Sequence, residues 1–122
     1  MLSLRTSLVV CLFVVAVGAW APSSAHASNS SLSKVVWVSV YTENSYATVT
    51  LDTSRTASCG SQPSAFAFKI NTDSGKAILS ALLAAKVSGG SVYLFGTGAC
   101  PTDTAPSGIS TIELLSSVQT GP

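Results

Sequence analysis

Histidine is nearly missing from this chain of 122 residues, and charge of either sign is scarce. The one histidine is His26. Beyond residue 27 there is none, which removes Ser–His–Asp and Cys–His nucleophile systems and every histidine-containing zinc site. Charged side chains make up only 9% of the sequence, six basic against five acidic. A groove that tracks a nucleic-acid backbone needs concentrated basic charge and stacking aromatics, so nucleic acid is not an expected partner. A basic amphipathic stretch for a membrane surface is absent as well. Nor is there a long enough hydrophobic run for a stable membrane anchor. The longest, Leu8 to Trp20, covers 13 residues and is followed by Pro22, Ser23 and Ser24, whereas about 20 apolar residues are needed to cross a bilayer.

What is present at the amino terminus reads as an export signal. Arg5 supplies a positive charge, the apolar run follows, and Ala25-His26-Ala27 offers the small residues at which a signal peptidase cuts. Cleavage is expected after Ala27, making residues 1–27 a signal peptide and the product secreted or periplasmic. A lipid-anchored form would need a small residue before Cys11, and Val10 stands there. Arg5 and His26 leave with the signal. Lys34, Arg55, Lys69, Lys76 and Lys86 then face Glu43, Asp52, Asp73, Asp103 and Glu113, for a net charge near zero. About 95 residues remain, enough for one small domain whose modest core benefits from a covalent staple.

Cys11 also leaves, so Cys59 and Cys100 remain. Two cysteines in an exported domain are expected to pair. Closing that loop stabilises the fold by about 4 kcal/mol on the chain-entropy model. No metal site and no cofactor are expected.

Residues 28–33 are small and polar and read as a disordered entry. The domain is expected over 34–118. Lys34 to Tyr41 and Tyr46 to Asp52 read as a hairpin of strands. Val36, Val38, Val40, Ala47, Val49 and Leu51 are expected inside, and Trp37, Tyr41 and Tyr46 on the opposite face. After a loop over Thr53 to Ser64, Ala65 to Ile70 reads as a third strand with Phe66, Phe68 and Ile70 on one face. Asp73 is the expected cap of a helix reaching about Ser88. Ile78, Leu79, Leu82, Leu83 and Val87 make its apolar stripe. Gly89-Gly90 ends it. Ser91 to Gly96 is a fourth strand, and Ile109 to about Val118 a fifth. The class is α+β, mainly β with one helix. Its order, β-β-β-α-β-β, matches the five-stranded Greek-key barrel of the OB-fold.

Several stretches carry a resemblance: Cys59, Phe66-Ala67-Phe68, the helix Ala77 to Lys86, Ser88 to Leu94, and Gly96-Thr97-Gly98-Ala99-Cys100. In these the chain resembles a group of small exported bacterial proteins, and its layout resembles the binding subunits of the subtilase-cytotoxin type. That resemblance implies an OB-fold with a disulfide, a ring-shaped homo-oligomer and glycan binding at the cell surface. It assigns a sugar-binding role to no residue of this chain.

Catalytic residues are not expected, and neither is an enzyme. The five carboxylates read as solvated charge and capping, and so small a barrel has little room for a cleft with two of them across it. Gly96-Thr97-Gly98 follows a strand, but Cys100-Pro101 succeeds it in place of a helix, so it reads as a turn. Exposed aromatics mark protein or glycan contacts, which makes Trp37, Tyr41 and Tyr46 the candidate binding residues. The competing arrangement has that face covered by the helix, by loops or by a neighbouring subunit. The expectation is a non-enzymatic recognition or structural domain that binds a glycan or, alternatively, acts as a protein-binding, inhibitor or envelope component.

Overall fold

In the computed structural model the described residues are 27–102, 105–106 and 108–121. The expected signal therefore lies outside the described residues, apart from Ala27, and so does Asp103. Five strands and one helix follow in the order β1 (Ser33–Tyr41), β2 (Tyr46–Leu51), β3 (Ala65–Lys69), α1 (Asp73–Ser88), β4 (Ser91–Gly96) and β5 (Leu115–Thr120). The strands pair antiparallel in the spatial order β3-β2-β1-β4-β5.

The sheet is not closed into a barrel. Its outer strands, β3 and β5, approach each other through one parallel bridge, Ala67 to Leu114, just ahead of β5. The Ala67 N–H donates to the Glu113 carbonyl there at 2.9 Å. A further ladder does not form because residues 108–114 turn across the sheet instead of running along it. Ile109–Thr111, expected to open the fifth strand, is a 3-10 turn. β5 starts six residues later than expected and continues to Thr120, and the Gly121 N–H still donates to Ser91 at 2.7 Å.

β1 departs from simple alternation. Val35 faces Leu51 while Trp37 faces Thr50, so Val36 is an extra residue in a bulge. Ahead of the bulge the inward residue is Val35, and Val36, expected inside, is exposed. Beyond it the expected parity holds: Val38 packs on the core, while Val40, also expected inside, is exposed near the hairpin end of the strand. β1 pairs with β2 as far as Tyr41 but with β4 only at Ser33 and Lys34.

The helix begins one residue earlier in its chemistry than expected. Thr72 is the cap: its Oγ1 accepts from the Gly75 N–H at 3.0 Å. Asp73 is the first helical residue and is exposed. Gly89, at φ 70°, closes the helix in the left-handed conformation that glycine adopts without steric cost. Ile78, Leu79, Leu82 and Ala85 face the main core of Val49, Leu51, Phe66, Phe68, Val92 and Leu94. Leu83 and Val87, expected in the same stripe, point away, and Val87 is 89% exposed.

A second cluster occupies the other side of β2 and β3. It gathers Tyr46, Ala65, Ala67, Ile109 and Ile112, with Ala105 and Leu114 against it. β2 is consequently buried on both faces. Residues 28–30, expected to be disordered, are tied to β4. Ser30 donates its N–H to the Leu94 carbonyl and accepts from the Leu94 N–H on its hydroxyl, both at 2.8 Å, and Asn29 bridges Phe95.

Candidate functional site

Two places collect residues of chemical interest. The first is a polar knot where the amino-terminal segment, the β2–β3 loop and the β4–β5 connection meet. The disulfide Cys59–Cys100 joins the latter two, with Cα atoms 5.8 Å apart. Glu113 lies at its centre and is wholly buried. Its Oε1 accepts from the backbone N–H of Gly98 at 2.9 Å and of Ser28 at 3.1 Å. Its Oε2 accepts from the Ser28 hydroxyl, from Arg55 Nη2 at 3.2 Å and from the Ser58 N–H at 3.4 Å. The Gly96-Thr97-Gly98 turn thus serves an anion, but one belonging to the chain itself. Gly96 is required there because a Cβ would fall on the Glu113 carboxylate.

Arg55 is held as firmly. Nη1 donates to the Pro63 carbonyl at 2.7 Å, Nη2 to the Ala65 carbonyl at 3.1 Å and Nε to Ser28 Oγ at 2.9 Å. Its guanidinium carbon sits 3.6 Å from the centre of the Phe66 ring, a cation–π stack. Burial lowers the Arg55 pKa from its ordinary value, against the opposing pull of the Glu113 hydrogen bond and charge. For Glu113, burial alone would raise the pKa. The hydrogen bonds from the Ser28 hydroxyl, then from the Gly98, Ser28 and Ser58 N–H groups, outweigh it and hold the carboxyl below its usual value. A carboxylate with five donors is a structural anion and has little capacity left for proton transfer.

This knot departs from the expectation of solvated carboxylates. Two signals in the sequence point to it. Arg55 is the only arginine after Arg5, and Glu113 sits between Ile112 and Leu114-Leu115, where an exposed charge is out of place. The other described carboxylates differ. Asp52 accepts from the Lys34 N–H at 2.8 Å. Glu43 and Asp73 are exposed, and Asp73 lies 4.0 Å from Lys76 on the helix surface. Among the described residues no group of three or more metal-ligating side chains comes together.

The second place is the aromatic face of β1. Trp37 is 68% and Tyr41 42% exposed. Tyr46, expected beside them, is only 3% exposed. It is buried in the second cluster because Ala105, Ile109, Ile112 and Leu114 cover the β2–β3 half of that face, and Lys69 stands 5.6 Å over its ring. Covering by a loop therefore accounts for Tyr46 alone. Tyr41 also lines an open hollow of about 250 Å³ with Val40, Thr42, Glu43, Asn44 and, from the β4–β5 loop, Pro106.

The Cys59–Cys100 bond suits an oxidising compartment outside the cytoplasm. No helix among the described residues is long and apolar enough to cross a membrane. In comparisons with protein families, curated proteins and solved structures, nothing matches this chain.

Proposed function

We propose that the chain is an exported, non-enzymatic recognition domain of OB-like construction that binds a cell-surface glycan through Trp37, Tyr41 and the adjoining hollow. The carrying observation is an exposed tyrosine lining a concavity between the β1–β2 turn and the β4–β5 loop, with an exposed tryptophan on the same strand. In OB-like domains those two loops flank the surface on which oligosaccharides and oligonucleotides bind. The near-neutral charge disfavours the nucleic acid. Aromatic rings supply an apolar platform and the hollow's Thr42, Glu43 and Asn44 supply hydrogen-bonding groups, the mixture a sugar requires. The strand order and the parallel Ala67–Leu114 bridge support the OB-like reading as a barrel left partly open.

Trp37 is the only tryptophan left after cleavage, so its fluorescence reports this site alone. A glycan array followed by fluorescence titration is the test. The expected result is a saturable change with array-positive glycans that Tyr41→Ala weakens. An array without signal overturns glycan binding. A second reading, a protein partner adding a strand, has its own support: beyond Lys34, β1 pairs with no residue of β4, and Val36, Trp37, Val40 and Tyr41 are exposed along that stretch. A mass in solution above that of one chain, reduced to the monomer by Val36→Lys, favours that reading with a second copy as partner.

A further inference from the structure

We propose that Glu113 is the binding site for the chain's own new amino terminus: once residues 1–27 are removed, the α-ammonium of Ser28 pairs with the Glu113 carboxylate and fastens the amino-terminal segment to the fold. The inference rests on cleavage after Ala27. In that step a processing peptidase and water hydrolyse the Ala27–Ser28 amide. The C–N bond breaks, the hydroxyl joins the Ala27 carbonyl, and the leaving nitrogen gains protons to become an ammonium.

The geometry is already in place. The Ser28 nitrogen is 3.1 Å from Glu113 Oε1. The residue is held there by three further contacts, since its hydroxyl bonds Glu113 and Arg55 and its carbonyl accepts from the Gly96 N–H at 3.0 Å. Ala27, by contrast, is exposed and lines an open hollow of about 480 Å³ with Ser28, Thr56, Ala57 and Ser58. Loss of Ala27 costs no contact of the core, and the hollow lets water reach the ammonium's remaining protons. The charge balance also favours the change. Glu113 and Arg55 are the charged groups facing Ser28 among the described residues. The nitrogen lies on Oε1, whereas Arg55 engages Oε2, so the two cations occupy separate oxygens of one buried anion. The amide N–H bond is already charge-assisted on its acceptor side, and cleavage ionises the donor as well, turning the contact into an ion pair. Because Ser28 is docked, the scissile bond cannot lie extended in a peptidase while the domain is folded. Cleavage therefore comes first and docking second.

The test uses full-length chain expressed with export. The mass of the purified product identifies its first residue. Acetylation of that product with a limiting amine reagent, read by mass spectrometry at neutral pH, then compares the Ser28 amine with the four lysines. The expected product begins at Ser28. Its α-amine, ordinarily the most reactive amine at this pH because its pKa is about 8, is acetylated more slowly by about tenfold for each unit by which pairing raises that pKa. Glu113→Gln restores the rate. A second variant carrying one inserted alanine between Ala27 and Ser28 keeps the folded core intact and also restores the rate, which covers the case in which Glu113→Gln fails to fold. A product starting elsewhere overturns the cleavage reading and the proposal with it. A product starting at Ser28 with an amine as reactive as that of the alanine-insertion variant overturns the ion pair alone.

Discussion

The polar knot and the aromatic face invert the usual distribution of side chains. At the knot a glutamate and an arginine lie inside, 0% and 8% exposed at their side chains. On β1 a tryptophan, a tyrosine and two valines lie outside. Each arrangement carries a cost that something must offset. Five donors, a cation–π stack and a disulfide offset the burial of the charges. Nothing in the isolated chain offsets the exposure of the aromatics. The difference separates a structural site, complete in itself, from an exposed apolar surface, which the proposed function assigns to a partner. Buried charge pairs give up solvation that their mutual attraction does not always return, so the knot is understood as fixing where three segments meet more than as adding stability.

Breaking the knot gives the largest effects. Glu113→Ala leaves Arg55 buried without its counter-ion and lowers stability by about 3–5 kcal/mol, measured by urea unfolding. Replacing Cys59 and Cys100 together by serine lowers it by about 4 kcal/mol, and a midpoint unchanged by reductant would refute the staple's contribution. The two aromatic environments then separate cleanly. Tyr46→Ala opens a cavity in the second cluster and costs about 3 kcal/mol, while Tyr41→Ala on the exposed face costs about 0.5 kcal/mol or less.

Acid probes the same contrast. The folded-state pKa of Glu113 is depressed, so its contribution to stability is present above the unfolded carboxyl value, about 4.3. It is lost as pH falls through the lower, folded value. Melting temperature against pH should drop in that window, and the drop should be smaller in Glu113→Gln. The smallest expected change in stability, within about 0.5 kcal/mol, is for Trp37→Ala, yet this variant should lose its signal on the glycan array. A Trp37→Ala protein that unfolds would place Trp37 in the core and erase the comparison.

The elements were legible wherever a residue's role is local. The boundaries of β4 and the end of α1 at Gly89 agree with expectation, because alternation, helix propensity and a positive-φ glycine act over a few residues. The Cys59–Cys100 pair was legible by counting. The face of Val36 was not, since one extra residue in a ladder reverses the parity of a strand and only the partner's register reveals it. Tyr46 was not, since the segment that buries it lies some 60 positions later.

By itself, then, the sequence determined an α+β order of short strands around one helix, and a staple. Those follow from composition and from periodicities that span single elements. The tertiary structure alone decided that the sheet stays open, that Glu113 is an internal anion bound by Ser28 and Arg55, and that Trp37 and Tyr41 remain outside while Tyr46 does not. Each of those outcomes depends on where the 108–114 turn crosses the sheet. That path is set by packing between segments distant in the chain, which no local pattern encodes.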